Sequence, residues 1–428
     1  MRRLAHLRHK ATRLRSVAWA ASESLISPLM QLALTPVLLH QLGAQQFGIW
    51  ALSLMIAGLG SLASLGAPTA TMKKVAELGS SPFTPDVESH IRAALRVALM
   101  GTTVIGLIII GLALLFDGKV DADGPPSRLY VALGLSLCVL IVQELDNVIS
   151  SSLKGAERFD LVAKVDIRYR VIWMLAVAAC GWFFQSVMFC ILAGFLVNSV
   201  KLFNKISIAK RYYNINIDFS EKASRAALQE ITSLGKWYWA QAFAAFLFNT
   251  ADRWLIVALF GLDALAAYAI CLQLAQVTHT VQASACQVLV PWASRNAANG
   301  RIQGAEFLKL ALLGGVVCLV MPACIAIGVD SILSWWISPD FASQNYLLAL
   351  ALLLSFSILA ANIPLYYILV GVGEVRLVTI LNLVGGVLSL SLGALTSQYG
   401  TVAFALSKAV YGSVTLLAGI PLLKKKYG

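Results

Sequence analysis

The chain has 428 residues, 59% of them hydrophobic and only 13% charged, with a mean hydropathy of +0.78. A soluble domain carries about twice that charged fraction, and apolar runs of about 20 residues exclude a transmembrane barrel, so the fold class is an all-α polytopic membrane protein. The net charge of +12 does not mark a nucleic-acid partner, because the bases lie between apolar runs, on alternate loops.

In chain order, residues 1–16 hold six bases with Leu4, Leu7, Ala11 and Leu14 at helical spacing between them. They predict a basic amphipathic segment at the cytoplasmic leaflet, and the apolar run after it is long enough to be a signal anchor. The first span, 17–39, carries Glu23, Ser27, Gln31 and Thr35 as a polar stripe. A short loop at 40–48 leads to spans at 49–65, 93–116, 129–149, 171–184 and 187–203, which complete a first six-helix bundle over 17–203. The polar section 204–236 predicts a cytoplasmic linker with an interfacial helix, N-capped by Ser220 and apolar along Leu228, Ile231 and Leu234. The second bundle, 237–423, has spans at 237–260, 264–290, 308–329, 346–369, 377–395 and 401–423, and a basic tail occupies 424–428. Trp335 and Trp336 stand where an aromatic belt belongs.

Charge tests this count of twelve. With the N terminus inside, all but four of the 33 Lys and Arg fall on inside segments; Lys119 and Arg128 lie outside, and Arg253 and Lys408 lie within spans. That asymmetry predicts twelve spans with both termini cytoplasmic. The seven cysteines, all in or at the edge of apolar segments and without a CxxC, read as small apolar residues.

Two landmarks repeat. Gly43 to Trp50 and Gly261 to Tyr268 share one pattern of glycine, large apolar, small and aromatic residues, 218 positions apart. Gly155 stands six residues before Leu161-Val162, and Gly371 six before Leu377-Val378, at an offset of 216. Six spans per repeat preserve topology, and such folds place their substrate site between the halves.

No GxxxxGK[ST], HExxH or GxSxG motif occurs, and the outside loops are short, so no enzyme is expected. The chemistry lies in the charges within spans. A charge near the bilayer centre costs about 3 kcal/mol on insertion scales, so it is retained when paired or when it faces water. Asn249-Thr250-Ala251-Asp252-Arg253 sits deep in the seventh span, where Gln241, Asn249 and Arg253 share a face. The eighth span is polar along Gln273, Gln276 and His279. Two readings stand open. Asp252 with Lys408, or Glu23 with Arg253, would form structural pairs. Alternatively Arg253 and Lys408 bind an anion in a hydrated cavity, Arg as a fork that matches phosphate oxygens and Lys as a point charge. In that case Asp252 and Glu23 are cavity acids or coupling groups, and Gln31, Gln241, Asn249, Gln273, Gln276 and His279 are polar lining.

The 42–50 segment, Leu153-Lys154-Gly155-Ala156-Glu157-Arg158-Phe159, Asp252-Arg253, Gly261 and Tyr268 resemble the polysaccharide transporter family. These are Wzx-type flippases of O-antigen and other lipid-linked oligosaccharides, within the superfamily that includes MATE exporters. The resemblance covers nearly the whole chain and implies two six-helix bundles, a cationic cavity and alternating access. It implies a bacterial inner-membrane protein moving an undecaprenyl-diphosphate oligosaccharide to the outer leaflet, in lipopolysaccharide or related glycan biosynthesis. Implied partners are that substrate, membrane lipids, a polysaccharide polymerase and a chain-length regulator. No cofactor or metal is expected; a coupling ion would be H+ or Na+. A cation-coupled multidrug-type exporter and a membrane polysaccharide polymerase are the competing readings.

Overall fold

The computed structural model describes residues 2–77, 85–115, 126–156, 158–213, 224–298 and 304–420. Within these helices the side chains of residues 2–28, 233–238, 241 and 249, among others, lie outside the described set. Ser220 and the basic tail also lie outside it. Every helix described is α or a short 3-10 turn, and no strand occurs among the described residues.

The chain divides into two compact units, Met1–Phe243 and Ala244–Gly428. The first contains α1 (Arg2–Gly58), α2 (Gly60–Ala63), α3 (Ala67–Glu77), α4 (Pro85–Leu115), α5 (Pro126–Gly155), α6 (Phe159–Phe184) and α7 (Val187–Tyr213). Helix α8 (Arg225–Asn249) runs on as one helix across the boundary at 236/237 drawn between the linker and the second bundle. The second unit contains α9 (Ala251–Cys286), α10 (Leu289–Ala298), α11 (Gly304–Ile327), α12 (Val329–Trp336), α13 (Pro339–Gly371), α14 (Val375–Thr396) and α15 (Thr401–Leu416).

Nine stretches among the described residues are long and apolar enough to cross a membrane. One of them, Ala242–Cys286, runs to 45 residues. A straight helix of that length would reach about 67 Å, twice the hydrocarbon thickness of about 30 Å. It is not straight: the Tyr268 hydroxyl donates to Asp252 Oδ2 at 2.7 Å, sixteen residues back along the chain. Sixteen helical residues rise about 24 Å, so the helix must double back between them. It does so at Gly261, whose φ of 85° and ψ of −176° lie where only glycine is comfortable.

Gly43 inside α1 has nearly the same geometry, φ 74° and ψ 169°. The loop expected at 40–48 is therefore a single-residue reversal flanked by helix. The second glycine pair also recurs in three dimensions. A Cβ on Gly155 would lie 2.6 Å from Met72 O and 2.9 Å from Val75 Cβ; one on Gly371 would lie 2.6 Å from Val290 O and 2.8 Å from Ala293 Cβ. The neighbours are themselves 218 positions apart, so both repeats use one internal packing contact. Gly155→Ala and Gly371→Ala should each cost about 1–3 kcal/mol from overpacking against backbone. Matched drops in thermal midpoint in detergent check this; a neutral substitution at either position would show that the contact relaxes freely.

Each unit has its own apolar core. In the first, Ile91, Leu95, Val148, Leu153, Leu202 and Ile231 pack together, so α8 docks by Ile231, on the apolar face expected of the linker helix. Glu230 on α8 bonds Lys74 of α3 and His90 Nε2 of α4, the latter at 2.8 Å. These two donors hold the Glu230 carboxyl below the usual carboxylate range. In the second unit Phe307, Ala311, Leu365, Ile368 and Leu369 form the corresponding cluster.

Candidate anion site at a broken helix

The Asn249–Arg253 segment is a helix break, not the uninterrupted span its apolar flanks predict. Helix α8 ends at Asn249 and α9 begins at Ala251, with Thr250 between them at φ −136° and ψ −39°. Asn and Thr are poor helix formers because their side chains compete for backbone hydrogen bonds. The Arg253 amide closes a tight turn onto Thr250 O at 3.1 Å. Asp252 thereby falls in the first turn of α9, where the positive end of the helix dipole favours an anion.

The Phe248 carbonyl just before the break accepts from Lys408 Nζ of α15 at 2.7 Å. The same ammonium donates to Asp252 Oδ2 at 2.6 Å and stands 4.5 Å from the Phe248 ring centroid. Tyr268 donates to that carboxylate oxygen as well. Asp252 is 1% exposed, Lys408 3% and Tyr268 0%. Around them Phe248 stacks on Tyr411 at 4.1 Å, and Tyr268 meets Phe404 edge-on at 6.2 Å. The two charges are thus paired, hydrogen-bonded and enclosed by rings, which is the condition under which charges persist in a low-dielectric interior.

Arg253 is left over. Its side chain is half-buried, and its buried Nε has no hydrogen-bond partner among the described residues. One carboxylate, one ammonium and one guanidinium leave the cluster with a net charge of +1, and the Arg253 Nε is its donor without a partner among the described residues. That arrangement can take an anion.

The remaining sequence-predicted residues divide as follows. His279 on α9 meets Phe356 edge-on at 6.4 Å, and Phe356 lies 5.6 Å from Phe248, so His279 sits one ring away from the Lys408 environment. Gln273 and Gln276 are half-buried on the same helix. Gln31 is half-buried in the first unit, where its carbonyl accepts from Thr35. Thr35 itself is 3% exposed, so the polar stripe of α1 turns into the packed interior there. The side chains of Glu23, Gln241 and Asn249 lie outside the described residues.

Two features escaped the sequence. Tyr268 stood out as an aromatic landmark of the repeat, not as a ligand of Asp252. The first unit also buries a second charge cluster: Lys205 Nζ donates to Asp146 Oδ2 at 3.0 Å, Ser150 Oγ at 2.7 Å and Asp166 Oδ1 at 2.6 Å. Lys201 Nζ lies 3.0 Å from Asp146 Oδ2. The signal was present as polar pairs four apart, Asp146 with Ser150 and Lys201 with Lys205, on one face of each helix. Its two carboxylates balance its two ammonium groups, which leaves no charge to display.

The fold is that of the MATE transporters. An inward-facing multidrug resistance MATE family transporter of the MOP superfamily matches at TM-score 0.65 and 13% identity, over 94% of this chain and 97% of that one. An outward-facing one matches at 0.62 and 12%, over 96% of each. A mutant of the Vibrio cholerae MATE transporter VcmN matches at 0.59 and 14%, over 96% of this chain and 97% of that one. The protein is therefore a multi-pass helical membrane protein with that fold. The family described as polysaccharide biosynthesis protein matches residues 13–297, and the chain belongs to it. No curated protein matches the sequence.

Proposed function

We propose that the protein is a flippase. It moves an undecaprenyl-diphosphate-linked oligosaccharide from the cytoplasmic to the outer leaflet of a bacterial inner membrane by alternating access. In this reading the chain crosses the bilayer twelve times with both termini cytoplasmic. The single observation that carries the reading is the charge left on Arg253 once Lys408 has engaged Asp252. A half-buried guanidinium with open donors suits a diphosphate, whose oxygens it can take bidentately. Lys408 and Asp252 then act on the substrate through Arg253, and His279 and the glutamines of α9 offer hydrogen bonds to sugar hydroxyls. Membership of a polysaccharide biosynthesis family supports the glycan half of the reading.

The test is complementation in a strain lacking its own flippase for a surface polysaccharide. Wild-type protein should restore surface glycan and Arg253→Ala should not, at equal protein level in the membrane. Normal surface glycan with Arg253→Ala would sink the proposal. A second reading, a cation-coupled small-molecule exporter, is favoured by the fold shared with multidrug resistance MATE transporters. It predicts drug-efflux complementation, and the net positive charge at the broken helix speaks against cationic cargo.

A further inference from the structure

The second unit contains a cavity that the anion site does not use. It measures about 560 Å³ and lies among α9, α10, α11 and α13, between Gln282, Leu289, Val317, Met321 and Pro364. That volume falls within the range of about 300–1,000 Å³ typical of small-ligand sites. Leu310, Val317 and Val320 border it and are 44%, 71% and 61% exposed. All three stand on Gly304–Ile327, a helix long and apolar enough to cross a membrane, so the cavity opens toward hydrocarbon. Whatever enters arrives through the bilayer.

Beside the Trp292 indole and the Cys286 and Cys318 thiols, one amide interrupts the apolar lining. Gln282 is 8% exposed, and its Nε2 donates to Cys318 O at 2.6 Å, which fixes the amide across α9 and α11. Its Oε1 is buried and has no hydrogen-bond partner among the described residues. A buried unpaired acceptor is costly, and a carbonyl oxygen can be satisfied only by a donor. A lone water fits poorly, because a buried water needs about two to four polar partners and, besides Gln282, the described wall offers only two weakly polar thiols and one indole N–H. No charged side chain among the described residues lines the cavity, so a phosphate or an ammonium would be buried there without a described counter-charge.

We propose that this cavity binds a neutral amphiphile drawn from the membrane, with an apolar chain in the slot and a hydroxyl donated to Gln282 Oε1. The ligand class is a long-chain alcohol. The site is chemically distinct from the diphosphate site at Arg253 and does not depend on it.

The probe is a long-chain primary alcohol with a diazirine at the far end of the chain, photolysed with the purified full-length protein in nanodiscs. Its control is the alkane of equal length carrying the same diazirine. The alcohol should label peptides of α9, α11 and α13 that border the cavity. Gln282→Leu should lower that labelling about tenfold while leaving the weaker alkane labelling unchanged, since it removes the acceptor and keeps the volume. Val317→Trp, at an exposed position on the mouth, should reduce labelling by both probes. Arg253→Ala should change neither, which separates failure of this site from failure of the flippase reading. Equal labelling by alcohol and alkane in the wild type, or alcohol labelling that survives Gln282→Leu or Val317→Trp, overturns the proposal.

Discussion

Arg253→Ala is expected to slow export of the lipid-linked glycan about 10- to 100-fold without loss of folded protein. Hydrogen bonds to a charged partner contribute about 1.5–3 kcal/mol each way of counting, and a factor of ten corresponds to about 1.4 kcal/mol. Arg253→Lys keeps the charge and loses the planar fork, so about a tenfold loss is expected there. The measurement is the rate at which surface polysaccharide reappears after induction, with membrane protein level and thermal midpoint as controls. Full activity of Arg253→Lys would mean that only a point charge is needed at this position. Full activity of Arg253→Ala would remove the diphosphate site altogether.

The second large effect concerns the pair behind Arg253. Lys408→Met leaves the Asp252 carboxylate buried without its ammonium, and Asp252→Asn leaves the Lys408 ammonium without its carboxylate. Removing one partner of a buried pair costs about 3–5 kcal/mol, whereas replacing both by neutral groups is often close to neutral. Each single variant should therefore lose thermal stability in detergent, and Asp252→Asn with Lys408→Met should recover most of it. Anion binding should behave differently from stability. Lys408→Met takes the net charge of the cluster from +1 to zero and frees Asp252 to neutralise Arg253. Asp252→Asn takes it to +2. Farnesyl diphosphate should then protect Asp252→Asn against heat at least as well as wild type and fail to protect Lys408→Met, because a ligand stabilises only the state it binds. Equal losses of protection in both variants would reduce the pair to a purely structural contact.

This asymmetry arises because the pair belongs to one repeat alone. The positions 218 residues earlier are Leu34 and Cys190, both buried and neither carrying a charge-bearing Asp, Lys or Arg side chain. The two units share the glycine reversals at Gly43 and Gly261 and the close contacts of Gly155 and Gly371. They differ in where each buries charge: the first at Asp146, Asp166, Lys201 and Lys205, the second at Asp252 and Lys408.

Much of this was legible in the linear sequence because it depends on local or additive physics. Length, hydropathy and the segregation of Lys and Arg determine that the chain is an all-helical, multi-pass membrane protein. A span needs only about 20 apolar residues, and the charge bias of its loops sums without reference to packing. The glycine pattern was visible because a backbone reversal at positive φ admits almost no other residue. The rare charges at Asp252, Arg253 and Lys408 were visible because each is costly alone. That Asp252 pairs with Lys408 was decided only by the tertiary structure. Asp252 and Lys408 lie 156 positions apart, and no periodicity brings them together. The break at Thr250 turned Phe248 O toward the ammonium, and the reversal at Gly261 brought Tyr268 back onto the carboxylate. Once those three groups engage one another, Arg253 Nε is left without a partner among the described residues. Pairing is a property of distance in the folded chain, so the sequence could name Asp252 and Lys408 as candidates and only the fold could join them.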